Sequence, residues 1–403
     1  MEGVNSTGIS IGKKSKEVEG FLWGHPGGFM ALPIAAGPLR GSNPVINARS
    51  DGEAVAMWIA EKGRNSKNTA EGYRREAERF LLWASEMMNK SLSEVMRDEF
   101  LIYERFLAEV PGAWICSRGI KRRSHAWRPF SSQPSSKSIS HSLRILYGLM
   151  QYLVKVGWLV TNPMPQPKCM VGELWRPTRM ALSETDVNCI LDSISNRLEV
   201  AKGREKALLV RDRWIIMFLS SMGARASETI TSMGSISQEM IGSQVIWVWE
   251  VTGKGNKTAT LPFPDEIFTE LKLFRVKLGM TPNPTSGDNM ALVPVITKQD
   301  GKDYVVNLKR SLSRNGLYKR VKDVIIPRAI KYANEKEIDI DCARLAKVSP
   351  HWFRHTALTF LGDKTNDMRM VQALGRHQDI NTSAGYVKTD TLKLRDGMSR
   401  NGG

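Results

Sequence analysis

Cysteine is the first residue type that this sequence has little of. Its 403 residues include only four cysteines, at positions 116, 169, 189 and 342, and no two of them have C-x-x-C spacing. Thiols this few and this scattered exclude a disulfide scaffold and a zinc ribbon, and they indicate a reducing compartment. We therefore expect a cytoplasmic protein.

Long apolar runs are also lacking. No stretch approaches the roughly 18 apolar residues of a membrane-spanning helix, and the N-terminal residues lack the apolar core of a signal peptide. Acidic residues are outnumbered, with 41 Asp and Glu against 58 Lys and Arg, which leaves a net charge of +17. This excess favours a polyanionic partner, DNA or RNA. The lack of a long apolar run predicts that the protein does not span a membrane.

The pattern of apolar residues predicts two domains behind an irregular N-terminal arm. Residues 1–50 are rich in glycine and proline and have no sustained periodicity, which is typical of an irregular arm. Residues 51–168 carry four apolar stripes at helical spacing, which predicts a helical domain. Residues 169–180 form a polar, proline-bearing linker, and residues 181–403 form a larger second domain with a C-terminal tail.

The second domain begins with a mixed pattern. A buried helix is predicted to end at Gly223, and G-A-R-A-S-E follows with Arg225. Two alternating stretches flank T-G-K-G-N-K and predict a β-hairpin with Lys254 at its tip. Taken alone, Arg225 equally fits a cation at a helix C-terminus, and Lys254 better fits a surface lysine. The predicted fold class is mainly α with a small β-sheet or hairpin.

Residues 349–386 are the most informative stretch. Ser349-Pro350 predicts a helix start. At 100° per residue one face of this helix carries His351, Arg354, His355 and Leu358, whereas Phe353, Ala357 and Phe360 lie opposite and are expected to be buried. The stretch continues as L-G-R-H, which contains His377, and Tyr386 follows nine residues later.

These residue types can bind and cleave a phosphodiester. Arginine binds phosphate oxygens bidentately, histidine transfers protons near neutral pH, and a tyrosine hydroxyl can attack phosphorus. His351 and His355 also have the spacing of a zinc-binding helix, but Arg354 between them would repel a metal and the general-base glutamate is absent. We therefore expect no metal site and treat His355 as structural.

The motifs together resemble the tyrosine recombinase (phage integrase) family. Its C-terminal domain has G-x-R-x-S-E, then G-K-G-N-K, H-x-x-R-H, H and Y, in this order, and all are matched here across 162 residues. The departure is Arg376, which stands between glycine and histidine where the family commonly reads L-G-H. Residues 51–168 resemble the family's helical SAM-like core-binding domain through S-x-N-T-x-x-x-Y-x-x-E and W-L-V-x-N-P.

The resemblance implies a site-specific DNA recombinase with an α+β catalytic domain. Such an enzyme cuts and rejoins strands through a 3′-phosphotyrosyl intermediate without metal, ATP or another cofactor, as in the integration of a mobile element. Its partner would be double-stranded DNA, bound as a homotetramer, and an accessory DNA-bending protein is compatible with this scheme. The implied catalytic residues are Arg225, Lys254, His351, Arg354, His377 and Tyr386.

Basic residues of the helical domain are candidates for contacts with DNA phosphates. Each of them also fits a solvated charge on a helix surface. The candidates are Lys67, Arg74, Arg75, Lys137 and Arg144.

Two other functions stay open at this point. A type IB topoisomerase-like enzyme would use the same cleavage chemistry and reseal the same strand as a monomer. A non-catalytic DNA-binding protein could retain the scaffold, but it would be expected to have lost a catalytic residue, and none is lost here.

Overall fold

The computed structural model describes residues 37–64, 66–167, 180–253, 258–299, 302–377 and 380–386. The chain divides into two units, residues 1–171 and 172–403. We call them the N-terminal and the C-terminal unit. Lys254, residues 1–36 of the expected arm, most of the expected linker and the tail after Tyr386 lie outside the described residues. Within the described part of the chain, no helix is both long and apolar enough to cross a membrane.

The N-terminal unit is built from helices, as the apolar stripes predict. Ser66 begins the longest of them, because its hydroxyl accepts the backbone N–H of Thr69 at 3.2 Å and so caps the first turn. The segment before the first helix packs on this unit, where Leu39 is buried and donates its backbone N–H to Ser93. The helices are α1 (Asp51–Gly63), α2 (Lys67–Met88), α3 (Arg97–Ala108) and α4 (Ser136–Lys155).

An aromatic core holds these helices together. Phe80 on α2 stacks on Phe100 of α3 with ring centroids 5.0 Å apart, and Tyr103 meets Phe80 edge-on at the same distance. All three rings are at most 2% exposed. Burial of large rings in contact stabilises the packing of the helices.

The C-terminal unit combines helices with two small antiparallel sheets. Strands β1, β2 and β3 form one sheet in chain order, and β4 pairs with β5 in the other. The predicted hairpin is confirmed as β2 and β3, which pair from Val248 opposite Pro262 to Thr252 opposite Thr258. The strands are β1 (Ile236–Ile241), β2 (Gln244–Thr252), β3 (Thr258–Pro262), β4 (Pro294–Gln299) and β5 (Lys302–Ser311).

The helices of this unit surround a large apolar core. Trp214 and Phe218 on α6 are fully buried in it, and the helix ends at Gly223, whose φ of 56° is left-handed. A π-helical turn, Val321–Ile325, joins α8 to α9. The helices are α5 (Glu184–Val200), α6 (Gly203–Met222), α7 (Asp265–Lys277), α8 (Arg314–Arg320), α9 (Ile326–Glu335), α10 (Cys342–Leu345), α11 (Pro350–Thr365), α12 (Met368–Gly375) and α13 (Asn381–Ala384).

Helix α11 begins at Pro350 as predicted, but the burial of side chains on its two faces differs from the prediction. Phe353 and Ala357 are buried, whereas Phe360 is 36% exposed. Phe360 borders an open groove beside Met370 and Leu374, so the expectation that it is buried is wrong. Leu358, on the face expected to be functional, is fully buried and belongs to a small cluster with Val371 and Tyr386.

Candidate functional site

Arg354 lies at the centre of the candidate site and joins the ends of two helices. Its Nη1 donates to the carbonyl oxygen of Gly223 at 2.6 Å, and its Nη2 donates to the carbonyl oxygen of Gly375. These carbonyls belong to the C-terminal ends of α6 and α12. Burial, together with Arg225 and Arg376, lowers the pKa of Arg354 to about 10, so it is still charged at neutral pH.

Glu228 holds two further arginines. Its Oε1 accepts from Nη1 of Arg225 at 2.7 Å, and its Oε2 accepts from the Arg225 backbone N–H at 2.7 Å and from Nη2 of Arg376 at 2.5 Å. Glu228 is only 5% exposed. A buried carboxylate shared by two guanidinium groups fixes both of them in one geometry.

The surroundings of Gly375 explain why L-G-R-H contains a glycine. Its carbonyl oxygen accepts from Arg354 and also from Nη2 of Arg225 at 3.5 Å. A Cβ atom at this position would fall 2.7 Å from Cε1 and 2.8 Å from Nε2 of His377. Real Cβ atoms essentially never approach other atoms so closely, so a larger residue at this position would displace the imidazole of His377.

Tyr386 also belongs to this site, although it follows its hydrogen-bond partner His355 by 31 residues in the sequence. Its hydroxyl lies 2.6 Å from Nδ1 of His355, and both side chains are buried, at 2% and 1% exposure. The ring of His351 meets His355 edge-on at 4.4 Å between centroids. His351 therefore contacts His355, which in turn contacts Tyr386.

His377 completes the cluster from the other side of the tyrosine. Its ring stacks on Tyr386 with centroids 6.0 Å apart and 21° between the planes. Its Nδ1 lies 2.9 Å from the hydroxyl of Ser383, which is fully buried. Ser383 thus sets the orientation of this imidazole through the short helix α13.

The surroundings keep these rings neutral. Burial, followed by the charges of His351 and Arg354, lowers the pKa of His355 to about 4, and burial with Arg354 and Arg225 lowers that of His377 to about 4. Loss of solvent and the same two arginines lower the pKa of His351. Burial raises the pKa of Tyr386 to about 12, against the opposing effect of Arg354. Among the described residues of the site, the positive charge at neutral pH therefore comes from the arginines.

The structure brings most of the predicted catalytic residues together. The charges of Arg225 and Arg354 act on both His351 and His377, and that of Arg354 acts on Tyr386. Lys254 lies outside the described residues. The residues found in one cluster are Arg225, His351, Arg354, His377 and Tyr386.

Sequence reasoning missed part of this cluster. It treated His355 as structural, whereas the structure places this side chain on the hydroxyl of Tyr386. The available signal was that His355 directly follows Arg354 and lies on the same helix face as His351. The carboxylate of Glu228 and the carbonyl of Gly375 were not assigned contacts with the arginines. Two of those contacts, Arg376 with Glu228 and Arg225 with Gly375, join segments about 150 residues apart in the chain.

The five predicted DNA contacts all lie on the surface of the N-terminal unit, where every one of them is exposed. Arg75 on α2 and Lys137 on α4 line one open cavity of about 660 Å³. Arg74 and Arg75 also line a second, smaller cavity with Arg122, while Arg144 borders a third beside Lys155. Arg74, Arg75 and Lys137 therefore line two cavities that share Arg75, whereas Lys67 borders none of the three cavities.

Comparison with known proteins identifies the C-terminal unit. Residues 181–392 match the model of the phage integrase family. Tyrosine recombinase XerD of Pseudomonas aeruginosa is 25% identical over 346 residues, which cover 85% of this chain and 92% of that protein. Tyrosine recombinase XerC of Alcanivorax borkumensis is 26% identical over 262 residues, covering 64% of this chain and 71% of that protein.

Solved structures show the same fold. The XerH site-specific recombinase bound to its difH substrate before cleavage superposes with a TM-score of 0.50 at 16% identity, covering 88% of this chain and 85% of that one. The Tn1549 transposon integrase in complex with transposon right-end DNA superposes with a TM-score of 0.51 at 16% identity, covering 86% and 98%. These similarities confirm a mainly helical fold with small sheets.

Proposed function

The chain belongs to the phage integrase family and is a site-specific DNA recombinase, and from this we propose that Tyr386 is its nucleophile. The observation that carries the proposal is the buried contact of the Tyr386 hydroxyl with Nδ1 of His355 at 2.6 Å, in a cluster where its ring stacks on His377 and the charge of Arg354 acts on it. In the proposed reaction the phenol oxygen bonds to a backbone phosphorus. The bond to the 5′ oxygen breaks, which leaves a 3′-phosphotyrosyl link.

Arg225 and Arg354 would bind the two non-bridging oxygens of the scissile phosphate. Negative charge grows on these oxygens in the transition state, and guanidinium groups already held in place stabilise it without reorganising. The carbonyl of Gly375 supports this role, since it accepts a hydrogen bond from each arginine and so holds them side by side. His377, stacked on Tyr386, would add a hydrogen bond to the phosphate.

Proton transfer completes the scheme. The contact with Nδ1 of His355 would hold the phenol oxygen until it bonds to phosphorus. His351, the exposed histidine of the cluster, would take the phenol proton at that step and return it during resealing. Lys254, which stands between β2 and β3 in the sequence, would protonate the departing 5′ oxygen. The phosphotyrosyl bond retains the energy of the broken ester, so resealing by the 5′ hydroxyl of a second duplex needs neither ATP nor a metal.

Exchange between two duplexes requires four cuts, and we therefore propose a homotetramer on DNA. The exposed basic residues of α2 and α4 would hold the DNA backbone on the N-terminal unit, with Arg75 and Lys137 on one cavity. An accessory protein that bends DNA is compatible with such an assembly.

Conversion of Tyr386 to phenylalanine tests this proposal, because it removes a single oxygen atom. A nicked suicide substrate that carries the correct site should trap wild-type protein covalently, also in excess EDTA. The Tyr386→Phe variant should bind the same DNA with similar affinity and form no adduct. An adduct with this variant, or a phosphate found on another residue by mass spectrometry, would show that the nucleophile is assigned wrongly.

A further inference from the structure

His355 makes the one hydrogen bond that the structure gives to the Tyr386 hydroxyl among the described residues. It is not among the residues to which the family motifs assign catalysis, and the two side chains come from opposite ends of the motif region. His355 lies in the middle of α11, and Tyr386 follows α13. The contact therefore exists only because the end of the described chain folds back onto α11.

The protonation of both groups decides which hydrogen bonds they can form. At neutral pH the imidazole is neutral, since its pKa is lowered to about 4, and the phenol is neutral, since its pKa is raised to about 12. A neutral phenol has one proton to donate, and a neutral imidazole has one nitrogen that can accept it. Tyr386 can thus donate to Nδ1 of His355 when the imidazole carries its proton on Nε2.

Three other groups face this pair. His351 meets the His355 ring edge-on, His377 stacks on Tyr386, and the charge of Arg354 acts on both partners. The backbone of Tyr386 is also held close to α11, because Gly362 lies directly against it. The phenol oxygen therefore has a defined place relative to the arginines before any DNA is bound.

We propose that His355 is a positioning residue for strand cleavage, which holds the Tyr386 hydroxyl in place by accepting its hydrogen bond. The inference rests on the proposed role of Tyr386 as nucleophile and adds the group that places it. An attacking oxygen that is already in range and correctly oriented removes an entropic part of the barrier, and a misplacement of about 1 Å can cost about 10²-fold in rate. The acceptor atom at Nδ1 matters for this role, and the ability of His355 to become charged does not.

Two substitutions separate these properties. Asparagine places its side-chain oxygen as many bonds from Cα as Nδ1 is in histidine, so His355→Asn keeps an acceptor but no titratable group. Phenylalanine keeps the ring volume, so His355→Phe loses the acceptor. His125, which is exposed on a loop of the N-terminal unit, supplies the matched control His125→Asn.

The measurement is single-turnover formation of the covalent adduct on the nicked suicide substrate, with DNA affinity and thermal unfolding measured alongside. We expect His355→Phe to cleave about 10²-fold more slowly with unchanged DNA affinity. His355→Asn should recover most of that loss and keep the wild-type pH profile. If His355→Phe does not fold, His355→Ala replaces it, and added imidazole should restore its cleavage.

Three results would overturn the proposal: wild-type cleavage by a folded His355→Phe variant, a loss in His355→Asn as large as in His355→Phe, or no imidazole rescue of His355→Ala. These results differ from failure of the proposed function. If Tyr386→Phe still forms the adduct, the nucleophile itself is wrong. If Tyr386→Phe abolishes the adduct while His355→Phe cleaves normally, only the role of His355 is wrong.

Discussion

Gly362 on α11 lies directly against the backbone carbonyl of Tyr386. A Cβ atom at residue 362 would stand 3.1 Å from the Tyr386 carbonyl carbon and well under 3.0 Å from its oxygen. The segment that carries the candidate nucleophile therefore approaches the helix as closely as it does only because residue 362 has no side chain. Gly362 is not left-handed, so close approach is the reason for glycine here.

We predict that Gly362→Ala displaces Tyr386 and slows adduct formation by about 10²-fold, the scale of a small misplacement of a reacting atom. The overpacked contact should also lower the free energy of unfolding by about 1–3 kcal/mol. DNA affinity should be unchanged. The control is Gly148→Ala on α4, where an added Cβ meets nothing within 4 Å. Wild-type cleavage by Gly362→Ala would contradict the close-contact argument.

Arg354→Lys is predicted to keep a positive charge and lose function. Lysine lacks the planar fork, so it cannot donate to both Gly223 and Gly375 and present a further N–H to a phosphate. Cleavage should fall by about 10²–10³-fold, as on loss of one transition-state donor. Arg213→Lys is a matched control, since Arg213 makes a bidentate pair with Glu270 outside the site. Equal losses in both variants would point to a general effect on folding.

Arg376, the residue inserted into L-G-R-H, is predicted to act on Arg225 through Glu228. With Arg376→Met, the Oε2 atom of Glu228 loses its 2.5 Å partner and should attract Arg225 in competition with the phosphate. We expect cleavage to slow by about tenfold, because Glu228 loses one ion pair with Arg376 and replaces it in part by a stronger attraction to Arg225. Residues that share one network are not additive, so the double variant Arg376→Met/Glu228→Gln should recover part of the loss. A double variant slower than Arg376→Met alone would rule this coupling out.

DNA affinity is predicted to fall steeply as salt rises, because bound lysines and arginines release counterions from the DNA. Lys137→Ala, on the cavity that Arg75 also lines, should weaken binding to all sequences and reduce the salt slope by about 1. Lys331→Ala, an exposed lysine of α9 in the C-terminal unit, should leave the slope unchanged. Binding that does not change between low and physiological salt would contradict the prediction.

Much of the local structure could be read from short-range signals. Ser66 begins α2, Gly223 ends α6 and Pro350 begins α11, each as its residue type predicts. Such signals depend on a few neighbouring residues, so they are already present in the unfolded chain. The hairpin of β4 and β5 was not predicted, and its register is shifted at two places. Irregular pairing of this kind weakens the regular alternation from which a strand is recognised.

The sequence by itself determined the chemical identity of the site: the ordered arginines, histidines and tyrosine, and the family that this order indicates. Helical spacing also placed His351, Arg354 and His355 on one face of α11. Only the tertiary structure decided which of them contacts Tyr386, because that contact depends on how the end of the described chain packs on α11. It made His355 the partner of the tyrosine, and it left Phe360 exposed at a groove. Periodicity defines the faces of a helix, but what covers each face is decided by segments far away in the chain.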